Sequence, residues 1–72
     1  MRKKIETRLK KCGVDYQYGI GIRGSKTLML ELGTDLVNIL FQNNYAYVEG
    51  WGDLAGPFSS VDAVIDWLEV ED

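Results

Sequence analysis

The feature that most constrains this chain is an alternation of apolar and polar residues through its middle. Between residues 14 and 23, every second residue is large and apolar or aromatic, and those between are polar or glycine. Residues 27–32 alternate again, with leucine at every second position. A period of two places successive side chains on opposite sides of a strand, and residues 23–26 (Arg-Gly-Ser-Lys) have the composition of a turn. The pattern predicts a β-hairpin whose buried side is formed by Val14, Tyr16, Tyr18, Ile20, Ile22, Leu28, Leu30 and Leu32.

The next segment, residues 36–41, is an almost continuous apolar run that fits either a strand or a short helix. Its length and its valine and isoleucine favour a strand, although Thr34 or Asp35 could cap a short helix. Residues 42–44 (Gln-Asn-Asn) tolerate positive φ and form the next predicted turn, and residues 45–49 follow as a strand. The middle of the chain is therefore expected to be an antiparallel meander.

The N-terminal segment has the spacing of an amphipathic helix. Ile5, Leu9 and Cys12 recur at positions i, i+4 and i+7, which form one helical stripe. Gly13 follows where a left-handed C-cap residue belongs. A short helix over residues 2–12 is predicted.

A second helix is predicted near the other end, starting at Ser59 or Ser60. Ser59 and Asp62 have the spacing of a capping box, and the buried stripe would consist of Val61, Val64, Ile65 and Leu68. The predicted fold is α+β, one small domain over residues 1–72. It is an antiparallel meander of three to four strands flanked by an N-terminal and a C-terminal helix, in the order α-β-β-β-β-α.

Three glycines, Gly50, Gly52 and Gly56, lie between the last predicted strand and the last helix. Dinucleotide-binding turns occupy this position, but the spacing has one residue too many and too little chain follows for a second strand. We interpret the segment as a corner, in which glycines adopt conformations closed to other residues. Trp51, between two of these glycines, is either a lid on the edge of the core or an exposed anchor for a partner.

The chain has no histidine and one cysteine, so it lacks the residues of the commonest catalytic and metal-binding sites. Ser-His and Cys-His nucleophiles need an imidazole base, and the usual zinc sites need several Cys or His ligands. Cys12 lies on an apolar stripe and is predicted to be a small buried hydrophobe. Asp62, Asp66 and Glu69 share a helix face opposite the buried stripe, so a solvated face is expected. No enzymatic activity, cofactor or metal is expected.

The predicted compartment is the cytoplasm, because the chain has one unpaired thiol and no apolar segment of a secretory signal. No apolar run approaches the roughly 20 residues needed to cross a bilayer. No membrane partner is expected.

Charge is divided unevenly along the chain. Residues 1–26 hold all eight lysines and arginines and two acids, a net +6, whereas residues 27–72 hold nine acids and no base, a net −9. The predicted basic face is Arg2, Lys3, Lys4, Arg8, Lys10 and Lys11. The predicted acidic face is Asp62, Asp66, Glu69, Glu71 and Asp72.

The leading functional hypothesis is a non-catalytic protein-interaction module. If the helices cover one side of the sheet, the other side faces water and offers a mixed apolar and aromatic patch to a protein partner or a second copy of the chain. The predicted partner-binding residues are Met29, Leu40, Tyr45, Tyr47 and Trp51. One alternative is an acidic inhibitor or nucleic-acid mimic of the phage or mobile-element type, acting through the acidic face. Another is weak nucleic-acid binding through the basic helix.

Overall fold

The computed structural model describes residues 1–20 and 26–70, which form two helices and five strands. In chain order these are α1 (Arg2–Lys11), β1 (Asp15–Ile20), β2 (Lys26–Leu32), β3 (Asp35–Gln42), β4 (Tyr45–Gly50), β5 (Asp53–Phe58) and α2 (Val61–Leu68). The strands form one antiparallel sheet in the order β1-β2-β3-β4-β5. The α+β meander between two helices is confirmed, with five strands instead of three to four, and residues 36–41 belong to a strand. Ile22 and most of the predicted turn at residues 23–26 lie outside the described residues.

Both helices pack against the same side of the sheet, which we call the helix face. Their buried residues join strand residues of one parity in a single core: Ile5, Leu9, Leu28, Leu30, Val37, Ile39, Ala46, Val48, Val64, Ile65 and Leu68. The two helices are also linked by an ion pair, with Arg8 Nη1 2.8 Å from Asp62 Oδ1. Residues of the other parity form the outer face, whose large apolar side chains are Met29, Leu36, Leu40, Tyr45, Tyr47 and Leu54.

The helix ends largely follow the sequence signals. Gly13 has a φ of +73° just after α1, as the C-cap prediction required. Helix α2 is capped by Ser60, whose hydroxyl accepts a hydrogen bond from the Ala63 backbone N–H at 3.2 Å. The capping box predicted from Ser59 is therefore wrong by one residue. Cys12 at the end of α1 is half-buried, less than predicted.

The segment interpreted as a corner contains strand β5. Gly50 pairs with Asp53 across a two-residue loop in which Trp51 and Gly52 have φ values of +53° and +77°. Positive φ at both central residues is the requirement of a type I′ hairpin turn. β5 is an edge strand, where a proline such as Pro57 leaves no ladder bond unmade. The glycines therefore make a hairpin, not an exit from the sheet.

Strand β1 is the other edge, and its buried side is only partly covered. Tyr16 is half-buried against the core, as predicted. Tyr18 and Ile20 have the same parity but are 61% and 85% exposed, so the prediction that they are buried is wrong. They lie on an edge strand that the helices cover only in part, where the hydroxyl group of Tyr18 donates a hydrogen bond to Glu6 of α1.

The uncovered end of β1 is tied to α1 through Glu6. Its Oε1 accepts hydrogen bonds from the hydroxyls of Tyr18 and, at 3.1 Å, Tyr16, and Arg2 Nε lies 3.8 Å from Oε2. The Tyr18 hydrogen bond is the main cause that lowers the pKa of Glu6, with Tyr16, Arg2 and Lys10 acting in the same direction against partial burial. The same contact with Glu6 raises the pKa of Tyr18.

We expect Glu6→Gln to weaken the acid dependence of stability. A carboxyl group with a lowered pKa stabilises the fold above its ordinary pKa of 4.5, and this contribution is lost as the pH falls through the lowered value. The variant should therefore have a lower thermal midpoint at neutral pH and lose less on acidification. Thermal unfolding followed by circular dichroism from neutral pH into the acid range measures both effects. Glu49→Gln, which removes an exposed carboxylate of the outer face, is the control. Parallel curves for wild type and Glu6→Gln would contradict this role for Glu6.

Candidate interaction surface

The outer face is the side of the sheet that neither helix covers. Leu36 and Leu54 are 68% and 59% exposed, and Met29 and Tyr45 are 42% and 44% exposed. Leu40 and Tyr47 are half-buried between them and lie directly opposite each other on β3 and β4. The structure thus places the predicted Met29, Leu40, Tyr45 and Tyr47 on one face. Water contact with so many large apolar groups is typical of an interaction site.

Trp51 lies at the end of the sheet, in the turn between β4 and β5. The residue is 53% exposed, and its Nε1 donates a hydrogen bond at 3.0 Å to Asp35 Oδ2. Asp35 has the parity of Val37 and so belongs to the helix face. Of the two alternatives left open by the sequence, the exposed ring is the one observed. Because the indole N–H is held by Asp35, the ring presents its apolar surface in a fixed position.

Gly19 and Gly56 leave space in the edge strands that large side chains of the outer face occupy. A methyl group on Gly19 would lie 3.1 Å from Met29 Sδ, so the Met29 side chain lies across β1 at this point. A methyl group on Gly56 would lie 2.9 Å from Tyr47 Cδ1, so the Tyr47 ring lies against β5. Met29 and Tyr47 are therefore positioned by the neighbouring edge strands, which lowers the entropy cost of presenting them to a partner.

The charges of the outer face are all negative in the part of the chain that the structure describes. Asp15 and Glu31 are directly opposite each other on β1 and β2, and Glu49 lies on β4. Lys26 is the sole base in the described strands, and its parity places it on the helix face. The outer face therefore combines apolar groups with carboxylates.

The predicted basic face lies on the opposite side of the molecule, on α1. Arg8 is paired with Asp62 and Arg2 approaches Glu6, while Lys3, Lys4, Lys10 and Lys11 are exposed. The Arg8–Asp62 ion pair places Asp62, the first acidic residue of α2, next to the basic helix α1. Asp66 is exposed on α2, and Glu69 is exposed just beyond its end as the left-handed C-cap residue, so the prediction that it lies on the helix is wrong. Glu71 and Asp72 lie outside the described residues.

Two prominent members of the outer face were missed from the sequence, Leu36 and Leu54. Leu36 belongs to a continuous apolar run, in which alternation cannot separate the two faces. Leu54 lies in a strand whose glycine and proline suggested a loop. No sequence signal indicated Leu54, because the two-residue turn before its strand has Trp51 where Asn, Asp or Gly is usual.

Neither a metal site nor a membrane span is found in residues 1–20 and 26–70. Within these residues no three of the His, Cys, Asp and Glu side chains come together in a group that could hold a metal ion, and no helix is long and apolar enough to cross a bilayer.

Comparison with known proteins gives no relative from which a role could be transferred: no family model, no curated protein and no solved structure matches the chain.

Proposed function

We propose that this protein is a non-catalytic protein-interaction module that binds a partner protein through its outer face and Trp51. The observation that carries the proposal is the exposure of Leu36 and Leu54 on a sheet surface that both helices leave open. Interfaces have an apolar centre, enriched in aromatic residues and methionine, inside a polar rim. Met29, Tyr45 and Tyr47 give this face such a composition.

Charge favours a different protein over a second copy as the occupant. Two copies meeting through their outer faces would bring Asp15, Glu31 and Glu49 of each chain towards those of the other, with no base on either surface to offset them in the described part of the chain. A contact of the outer face with α1 of another copy would match opposite charges. That contact is heterologous, however, and would generate a ring or an open chain of molecules in place of a closed dimer.

Two other functions have less support. Nucleic-acid binding would rest on α1, where Arg8 and Arg2 are already paired with carboxylates. Mimicry of a nucleic acid would rest on α2, which lies beside that basic helix. Neither alternative uses the exposed apolar groups of the outer face.

Site-specific photocrosslinking in cells that naturally make the protein would test the proposal. A benzophenone amino acid is placed at Leu36 or Leu54 on the outer face, and at Thr7, an exposed residue of α1, as the matched control. We expect an adduct of one discrete mass from both outer-face positions and none from position 7. Adding Trp51→Ala should reduce the adduct severalfold, because a buried tryptophan anchor is worth about 2 kcal/mol or more in an interface.

Two results would count against the proposal. An adduct from Thr7 alone, or no adduct from either leucine position, would show that the outer face is not the binding surface. An adduct with twice the 8.1 kDa mass of the chain would identify a second copy as the occupant and overturn the choice of a partner protein.

A further inference from the structure

We infer that the partner segment bound by the outer face is basic, with at least two arginine or lysine side chains set among apolar residues. This inference rests on the proposed function, since it specifies the chemistry of that same surface. It follows from where the carboxylates lie within the apolar patch.

Each of two carboxylates on the outer face is directly opposite an exposed leucine. Glu31 on β2 is opposite Leu36 on β3, and Glu49 on β4 is opposite Leu54 on β5. Side chains directly opposite each other in an antiparallel pair have Cβ atoms about 5 Å apart. A lysine or arginine could therefore lay its aliphatic stem on the leucine and its charged end on the carboxylate.

A second carboxylate beside Glu31 further favours a basic partner segment. Asp15 lies directly opposite Glu31 on β1, and like charges directly opposite each other destabilise a sheet. Within residues 1–20 and 26–70, neither carboxylate has an ion-pair partner. They border a shallow cavity of about 360 Å³ together with Gln17, Met29 and Leu36. A cation from a partner would relieve the repulsion as it binds.

The two carboxylate positions require two separate basic side chains. Glu31 and Glu49 are two strands apart and offset by two residues in register. At ordinary sheet spacings this places them about 12 Å apart, too far for one guanidinium or ammonium group to contact both. A segment with basic and apolar residues interspersed satisfies both positions, whereas an acidic or wholly apolar segment would leave the carboxylates desolvated and unpaired.

Selection of random peptides displayed on phage against the full chain would test the inference. The enriched peptides are synthesised, and their affinities are measured by fluorescence anisotropy for wild type, Leu36→Ser, Glu31→Lys and Glu49→Lys. Asp66→Lys, with the same change of charge on the exposed side of α2, is the control. We expect peptides with at least two basic residues beside apolar ones. Their binding should weaken about tenfold with either outer-face reversal, weaken with Leu36→Ser, and change less than about twofold with Asp66→Lys.

The variants separate failure of this inference from failure of the proposed function. Two results would contradict the inference of a basic partner segment but not the proposed docking surface. One is that the peptides bind Leu36→Ser more weakly but lack basic residues. The other is that they bind Glu31→Lys and Glu49→Lys as tightly as wild type. If no peptide is enriched, or if the enriched peptides bind Leu36→Ser as tightly as wild type, both the basic partner segment and the proposed docking surface are contradicted. Folding of Glu31→Lys is checked by thermal unfolding. Its midpoint should not fall, because the introduced ammonium group would attract Asp15, which the Glu31 carboxylate repels.

Discussion

Replacing Leu30 with alanine should destabilise the fold by about 2–5 kcal/mol, the range found for large-to-small changes in well-packed cores. Leu30 is fully buried on the helix face, where its loss would leave a cavity beneath the helices. The matched change Leu36→Ala, with the same side chain lost from the outer face, should cost less than about 1 kcal/mol. A domain of this size has little stability to lose, so Leu30→Ala should be largely unfolded at physiological temperature.

Urea unfolding monitored by tryptophan fluorescence and circular dichroism measures the two changes on one scale. The comparison tests the central property of the fold, which is that a single sheet has one face filled by helices and one open to solvent. If Leu36→Ala proved as destabilising as Leu30→Ala, the outer face would be part of the core, and the proposed docking surface would be excluded with it.

Strands β1 and β2 were predictable because strict alternation is specific to a half-buried strand. Strands β3 and β4 were predicted without strict alternation, from short apolar runs bounded by turn residues. For β2 this parity alone also placed Met29 on the side away from the core. Alternation specifies which residues share a face. It does not specify how far across the sheet the helices extend.

This limit explains the error at Tyr18 and Ile20. Their parity is that of buried residues, but burial requires a helix above them, and α1 reaches this strand mainly through Glu6. Whether a strand is central or at an edge depends on the order of the whole sheet. That order follows from contacts between segments distant in sequence, so a local pattern could not reveal it.

Strand β5 could not be predicted for a different reason. Its sequence, Asp-Leu-Ala-Gly-Pro-Phe, contains both residues that weaken strands. Here they are tolerated because β5 is an edge strand with a bulge: its register shifts between Ala46 and Val48 of β4. The turn before it also lacked the asparagine signal that identified Asn43 and Asn44, since Trp51 takes the position with positive φ. The exposed apolar surface around Leu54 was missed with the strand.

The second large effect is expected at Gly56. This residue has a φ of +132°, a conformation open to glycine and strained for any residue with a Cβ atom. An added methyl group would also lie 2.9 Å from the Ala46 carbonyl oxygen and 2.9 Å from Tyr47 Cδ1. The backbone conformation alone costs about 1–3 kcal/mol, and overpacking in a fixed environment adds about 1–3 kcal/mol. We expect Gly56→Ala to destabilise the protein by about 2–6 kcal/mol.

Gly52→Ala is the matched control, because Gly52 also has a positive φ, +77°, but an added methyl group there would meet nothing within 4 Å. It should cost about 1–2 kcal/mol, the ordinary cost of a left-handed residue with a side chain. The difference between the two variants in urea unfolding isolates the steric contact of β5 with β4.

Adding Tyr47→Ala to Gly56→Ala should recover part of the loss in stability, since the Tyr47 ring would no longer oppose the methyl group, while the Ala46 carbonyl would still do so. Equal costs for Gly52→Ala and Gly56→Ala would contradict the close approach of these strands. They would also remove the physical reason for a fixed Tyr47 ring on the outer face, because a ring that does not rest on Gly56 is free to change its position.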